Sequence, residues 1–77
     1  MRKLFVGEAL CRESPARYYL LEEDGSYGVQ VELEGEEASA ADLSPSRQRV
    51  RELAEALVRG TVTPVALRDV VDDWLLE

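Results

Sequence analysis

Two apolar-rich runs within residues 17–33, separated by a polar turn sequence, predict a β-hairpin. Asp24-Gly25 lies between two runs rich in aromatic and β-branched residues, where a two-residue turn with positive φ angles is favoured. A turn at this position pairs Leu20 with Val29 and makes one face of the hairpin apolar. A shift by one residue would mix apolar and charged side chains on both faces, so turn chemistry and hydrophobic pattern predict the same register.

Residues 3–12 are predicted to form a preceding strand whose two sides are both partly apolar. Because Pro15 has no N–H and holds the preceding residue extended, residues 13–15 are predicted to form the turn into the next strand. The simplest topology is a three-stranded antiparallel meander over residues 3–34. The register of the first strand on the second stays open, since the loop accommodates several lengths. Residues 35–43 are interpreted as a crossing segment, either a loop or a single helical turn.

Two amphipathic helices follow, each with a proline at its first predicted position. Helix 45–59 is predicted with Ser44 as N-cap and Gly60 as a left-handed C-cap, and helix 64–76 with Thr63 as N-cap. Their short connection predicts an αα-hairpin. Each helix carries one apolar stripe at helical spacing. The stripe residues are Val50, Leu53, Ala54, Leu57 and Val58 in the first helix, and Leu67, Val70, Val71, Trp74 and Leu75 in the second.

These elements predict a single α+β domain over residues 1–77, with the order β-β-β-α-α. In this architecture the αα-hairpin packs on one face of the three-stranded antiparallel meander. A chain of 77 residues is close to the size at which one hydrophobic core is only just sufficient. Surface buried against a partner would therefore add appreciably to its stability.

Composition and charge exclude several classes of function. The formal net charge is -7, and residues 21–43 contain eight acidic residues and no basic one. Such a field opposes binding to nucleic acid or to anionic lipid, so no nucleic-acid or membrane partner is expected. No apolar run is long enough for a transmembrane helix, and the N-terminus does not match a signal peptide. The single cysteine, Cys11, favours a reducing compartment, so a cytoplasmic location is predicted.

Two segments also suggest a family. The hairpin YYLLEEDGSYGVQVE and the closing VTPVALRDVVDDWL resemble small uncharacterised bacterial proteins known only as a domain of unknown function. The motifs that carry the resemblance are structural: an Asp-Gly turn between strands and a Thr-Pro helix start. The resemblance implies this fold and an intracellular bacterial origin. It implies no activity, ligand or catalytic residue.

The sequence contains few residue patterns that would support catalysis or cofactor binding. The chain has no histidine and one cysteine, so neither the usual zinc sites nor a Ser-His or Cys-His pair can be assembled. The acidic hairpin tip lacks the ligand spacing of an EF-hand loop, and Gly25 and Gly28 do not lead into a helix as in a phosphate-binding loop. Three arginines at 47, 49 and 51 are interpreted as ordinary helix surface. The sequence therefore predicts no enzyme, no metal site and no cofactor.

An interaction surface is the sharpest functional prediction. If the helices cover one face of the sheet, apolar residues remain on the other, and such patches often mark binding sites. The alternative is that neighbouring polar residues dilute this patch into an ordinary wetted sheet. The residues predicted to form the interface are Leu4, Val6, Leu10, Tyr19 and Leu21.

The first functional hypothesis is a non-enzymatic interaction or regulatory module that uses the open sheet face or a sheet edge, with a protein partner or as a homodimer. The second is an acidic decoy that occupies a basic site on a nucleic-acid-binding protein. Binding by a decoy should weaken steeply with ionic strength, whereas binding through an apolar sheet face should not.

Overall fold

The computed structural model describes residues 1–76, which form a four-stranded antiparallel sheet followed by two helices. The strands lie in chain order, so each pairs with its neighbour along the sequence and the first and last are edge strands. The architecture is α+β, as predicted, but the sheet has four strands and not three. The elements are β1 (Arg2–Cys11), β2 (Ser14–Glu23), β3 (Ser26–Leu33), β4 (Glu36–Ser44), α1 (Arg47–Arg59) and α2 (Leu67–Leu75).

Each of the three strand connections is a two-residue turn with positive φ at both positions. The middle turn is Asp24-Gly25, as predicted, with φ angles of 51° and 80°. The first turn is Arg12-Glu13, so the prediction that residues 13–15 form it was wrong. Ser14 and Pro15 instead begin β2. The third turn is Glu34-Gly35, with φ angles of 51° and 80°, and it joins β3 to a strand that the sequence analysis missed.

The central hairpin has the predicted register, with Leu20 opposite Val29 and Tyr18 opposite Val31. Residues 35–43, predicted as a crossing segment, belong almost entirely to β4, which pairs with β3 from Glu36 to Ser44. The prediction failed because these residues are small or acidic and have little intrinsic strand preference. Pairing satisfies the peptide groups along the outer side of β3, and this requirement outweighs the weak local preference.

Two irregularities shape the sheet. In β1 the register shifts between Phe5 and Gly7, which forms a β-bulge at Val6. At β4 three residues, 41–43, lie opposite the single residue Gly28 of β3. A Cβ at position 28 would lie 2.2 Å from the carbonyl oxygen of Ala40, so only glycine permits this close approach.

Both helices begin later than predicted. Because β4 continues through Ser44, α1 begins at Arg47 with Ser46 as its N-cap, whose hydroxyl accepts from the N–H of Arg49 at 3.3 Å. Gly60 ends α1 with φ -87°, so the predicted left-handed C-cap was wrong. The positive φ angle falls on the next residue, Thr61.

The second helix was predicted over residues 64–76 and spans Leu67–Leu75. Its predicted N-cap, Thr63, begins a separate turn in which the N–H of Ala66 donates to the Thr63 carbonyl and hydroxyl at 3.1 and 3.4 Å. Pro64 is buried in this turn and does not begin the helix. Thr63 therefore accepts hydrogen bonds within this turn, whereas it was predicted to accept them from the first turn of the helix.

The core lies between the helices and one face of the sheet. Helix α1 packs across all four strands, whereas α2 packs against β4. Tyr18 is fully buried in this layer, and its hydroxyl donates to the carbonyl of Val62 at 2.8 Å, which links β2 to the connection between the helices. The largest buried side chains are Tyr18, Leu20, Leu57, Leu67, Val29, Val31 and Val50.

Candidate interaction surfaces

The predicted interface residues do not lie on one face. Leu4 is opposite Leu20, which belongs to the core, so Leu4 lies on the helix side of the sheet. Val6, in the bulge of β1, also packs against the core. The prediction assumed uninterrupted alternation along β1, and the bulge invalidates this assumption because it changes the phase of the strand.

The other three predicted residues lie on the face turned away from the helices, here called the open face. Leu10 is 72% exposed and lies opposite Pro15. Tyr19 is half-buried, and its ring meets that of Phe5 edge to face with 5.7 Å between the ring centroids. Leu21 is only 4% exposed, although no helix covers it. The open face is therefore not a continuous apolar patch.

Polar contacts cross the centre of the open face. The Lys3 ammonium lies 4.3 Å from the centroid of the Tyr19 ring and donates to a carboxylate oxygen of Glu32 at 2.7 Å. The Gln30 amide nitrogen donates to Glu32 at 2.9 Å and to Glu37 at 3.3 Å. The Tyr19 hydroxyl donates to the second Glu32 oxygen at 3.3 Å. Glu32 thus joins three strands, and apolar docking on this face would have to desolvate its network.

The ion pair between Lys3 and Glu32 changes the ionisation of both groups. The hydrogen bond from Lys3 lowers the pKa of the Glu32 carboxyl below its ordinary value of 4.5. The same bond raises the pKa of Lys3. Both side chains are charged at neutral pH, so the centre of the open face carries a fixed ion pair.

A second candidate surface is the free edge of β4. Leu33 and Glu36 flank the third two-residue turn, so their peptide groups bond to each other across the turn. Alternation along the strand then directs the N–H and C=O of Ala40 towards β3 and those of Glu37 and Ser39 away from the sheet. We call these outward peptide groups of Glu37 and Ser39 the β4 edge.

A groove of about 540 Å³ runs between β4 and α2 on the helix side of the sheet. Leu67 and Val71, from the buried face of α2, lie on one wall, and Leu75, which is 53% exposed, extends this wall towards solvent. Apart from Leu43, the β4 wall is made of small residues, which leave the groove open. The full lining is Ala38, Ser39, Ala40, Ala41, Leu43, Pro64, Leu67, Arg68, Val71, Asp72 and Leu75.

Acidic residues outnumber basic ones on the two elements that form this α2–β4 groove. Strand β4 carries Glu36, Glu37 and Asp42 and no basic residue. Helix α2 carries one arginine against three aspartates. Within residues 1–76, none of these carboxylates forms an ion pair. The groove is thus lined by apolar side chains together with Ser39, Arg68 and Asp72, and it lies between two elements of net negative charge.

The described residues also bear on metal binding and on membrane insertion. No group of His, Cys, Asp or Glu side chains in residues 1–76 is arranged to hold a metal ion. In that part of the chain, no helix is both long and apolar enough to cross a membrane. The candidate surfaces described above are the open face and the β4 edge with its groove.

Sequence reasoning missed the β4 edge and its groove entirely. One signal was present, since Glu34-Gly35 is followed by the alternating small residues of 38–40. This signal is weak because alanine and serine do not distinguish an apolar face from a polar one. The open-face network was also missed, since Lys3 and Glu32 are 29 residues apart and meet only once three strands are paired.

Comparison with known proteins gives a family but no function. The model of a family described as "Family of unknown function (DUF6514)" matches residues 3–77. No curated protein and no solved structure matches the chain. The match confirms the resemblance suggested by the central hairpin and the closing helix. With all but two residues inside the match, this chain belongs to DUF6514, a family of unknown function.

Proposed function

We propose that this protein is a non-enzymatic interaction module that binds an extended segment of another protein as a fifth strand beside β4. The observation that carries the proposal is the β4 edge beside the α2–β4 groove. Outward peptide groups provide hydrogen bonds to an added strand, and an adjacent groove accommodates its alternate side chains. The proposal includes an intracellular bacterial setting, supported by the lone Cys11 and by the resemblance described above.

The β4 edge is a better candidate than the open face. Docking on the open face would desolvate the ion pair between Lys3 and Glu32 without replacing its hydrogen bonds, which is costly. The exposed apolar residues on that face, Phe5 and Leu10, are flanked by the ion pair of Glu8 with Arg17. At the β4 edge, by contrast, an added strand supplies the partners that the peptide groups lack.

The edge of β1 is the other free edge of the sheet. The bulge between Phe5 and Gly7 interrupts its backbone in mid-strand, and bulges of this kind oppose pairing with another chain. The irregular part of β4, residues 41–43, lies beyond the outward peptide groups of Glu37 and Ser39. Helix α1 packs against β1. A Cβ at Gly7 would lie 3.1 Å from a Val58 methyl group, so little space separates this helix from the strand. The groove of about 540 Å³ accompanies the β4 edge.

A second copy of the chain is a poorer occupant than a different protein. Two β4 strands placed side by side would bring together six carboxylates and no basic residue. Each chain also has a net charge of -7, so the two copies repel each other at long range. We therefore assign the groove to a segment of a different protein.

The substitution Ser39→Pro tests the proposal. Proline removes one outward N–H and places a ring where the added strand would lie, while the bonds between β3 and β4 are kept. Short random peptides displayed on phage should be enriched on the wild-type protein and lost on Ser39→Pro. Ser39→Ala is the matched control and should bind as the wild type does, because it keeps the N–H. Far-ultraviolet circular dichroism checks that both variants fold.

Leu75→Ser gives a second probe in case the proline variant fails to fold. Leu75 is half exposed, so its replacement should leave the fold intact while reducing the apolar wall of the groove. Peptides enriched on the wild type should bind this variant more weakly. If no enriched peptide is sensitive to either Ser39→Pro or Leu75→Ser, the proposal is wrong.

The acidic decoy stays a second candidate because residues 21–43 carry eight acidic side chains and no basic one. A decoy would bind through its charge, so its complex would weaken steeply with salt and would not depend on the Ser39 N–H. One measurement therefore separates the two functions: the affinity of the Ser39→Pro variant for its protein partner at low ionic strength. A decoy would keep this affinity, whereas a strand-addition module would lose it.

A further inference from the structure

The α2–β4 groove and the open-face side of β4 differ in chemistry, and an added strand would contact both. Successive side chains of a strand point to opposite faces of a sheet. On the helix side, every second residue of the added strand would enter the apolar groove beside Leu67 and Leu75. On the open-face side, the intervening residues would lie beside Glu37 and Ser39.

Glu37 is the acidic residue that the open face leaves most available at this edge. The nearby Glu32 already accepts a hydrogen bond from Lys3 at 2.7 Å, so its charge is compensated. Within residues 1–76, the side-chain partner of Glu37 is the neutral amide of Gln30, at 3.3 Å. A cation placed beside Glu37 by an added strand would therefore be attracted, and a carboxylate would be repelled.

We infer that the bound segment alternates apolar residues, which enter the α2–β4 groove, with lysine or arginine on the open-face side beside Glu37. The inference rests on the proposed function and adds the chemistry of the partner. Charge complementarity carries it, since β4 has three carboxylates and no base and the whole chain has a net charge of -7. The same field favours diffusional encounter with a basic segment.

Two synthetic hexapeptides test the inference, one alternating valine with lysine and one alternating valine with glutamate. Isothermal titration calorimetry should give at least about tenfold tighter binding of the lysine peptide to the wild-type protein. Ser39→Pro should abolish binding of this peptide. Equal binding of the lysine peptide to wild type and Ser39→Pro would overturn both the inference and the proposed strand addition, and would favour the decoy.

A pair of charge-matched variants locates the effect. Glu37→Gln should weaken binding of the lysine peptide by about threefold. Glu8→Gln makes the same charge change on the open face at the opposite edge, and should weaken it by less than about 1.5-fold. Equal effects of the two variants would overturn the assignment of the cation to the position beside Glu37.

The phage experiment separates this inference from the proposed function. Peptides that require the Ser39 N–H but show no preference for lysine or arginine at alternate positions would support strand addition and overturn the inference. A library without any peptide sensitive to Ser39→Pro or Leu75→Ser would overturn both.

Discussion

At the scale of single residues, close contacts between backbones decide which side chains this sheet tolerates. Gly28 lies under the irregular part of β4, where a Cβ would be 2.2 Å from the Ala40 carbonyl oxygen and 2.7 Å from the Ala41 Cα. Both obstacles are backbone atoms, which cannot rotate away as a flexible side chain can. The missing side chain at this position therefore allows β4 to approach β3.

Gly28→Ala should accordingly destabilise the protein by about 3 kcal/mol or more, since β4 must move away from β3 to make room. Urea denaturation measures this loss. Gly60→Ala is the control: its Cβ would be 3.4 Å from the nearest atom and its φ is -87°, so a change within about 1 kcal/mol is expected. Similar losses for both variants would contradict the close approach at Gly28.

The ion pair between Lys3 and Glu32 should give stability a particular pH dependence. Because the folded pKa of Glu32 lies below its ordinary 4.5, the pair contributes above pH 4.5, and this contribution is lost as the pH falls through the lowered folded pKa. Glu32→Gln should therefore differ from the wild type at neutral pH and converge with it in acid. Urea midpoints measured across this range check the expectation.

A double variant checks whether the ion pair causes the stability difference between Glu32→Gln and the wild type at neutral pH. In a Lys3→Met background, Glu32→Gln should change the urea midpoint at neutral pH less than it does in the wild type. The difference should also shrink at high salt, since both side chains are partly exposed. An unchanged difference in the Lys3→Met background would show that the ion pair is not its source.

At the scale of secondary structure elements, β4 is a strand that its neighbours impose. Its residues include three alanines and two serines, and none is aromatic or β-branched. Pairing with β3 gives it one bonded side and one free side, and the free side is the β4 edge. The small side chains of β4 explain why sequence analysis missed this strand. They also leave the groove beside α2 open.

Proline substitutions at adjacent positions should distinguish the two sides of β4. Ala40→Pro removes an N–H directed at β3 and should cost about 2–4 kcal/mol. Ser39→Pro removes an outward N–H and should change the free energy of unfolding by about 1 kcal/mol or less. Urea denaturation of both variants tests the assignment. A larger loss of stability for Ser39→Pro than for Ala40→Pro would show that these peptide groups have the opposite orientation.

At the scale of the whole molecule, charge limits self-association. A free edge strand beside an apolar groove is a site of aggregation unless something opposes pairing. Here the three carboxylates of β4 and the net charge of -7 supply that opposition. In the proposed function, they oppose a second copy while leaving the edge available to a basic partner.

Neutralising this edge should therefore promote self-association. The variant with Glu36→Gln, Glu37→Gln and Asp42→Asn should dimerise at concentrations at which the wild type is monomeric, as measured by sedimentation velocity. Adding Ser39→Pro should restore the monomer if the dimer forms through β4. If the wild type is instead a dimer and Ser39→Pro dissociates it, the occupant of the groove is a second copy of the chain.

The sequence by itself determined the central hairpin and the existence of the two helices. Asp24-Gly25 favours a two-residue turn, and only one register gives the hairpin an apolar face, so local chemistry and burial agree. The helices have apolar stripes at helical spacing, which is also a local signal. The start of the first helix was mispredicted because Ser44 was already part of a strand, and the start of the second because Thr63 begins a separate turn.

Tertiary structure alone decided which side chains and peptide groups lie on each surface of the sheet. The bulge at Val6 moved Leu4 to the core side, and pairing of three strands brought Lys3 to Glu32 across the open face. The fourth strand exists because β3 needs hydrogen-bond partners on its outer side, a requirement that residues 36–44 do not express in their own composition. The β4 edge and its groove arise from pairing between residues distant in sequence, so local patterns do not determine them.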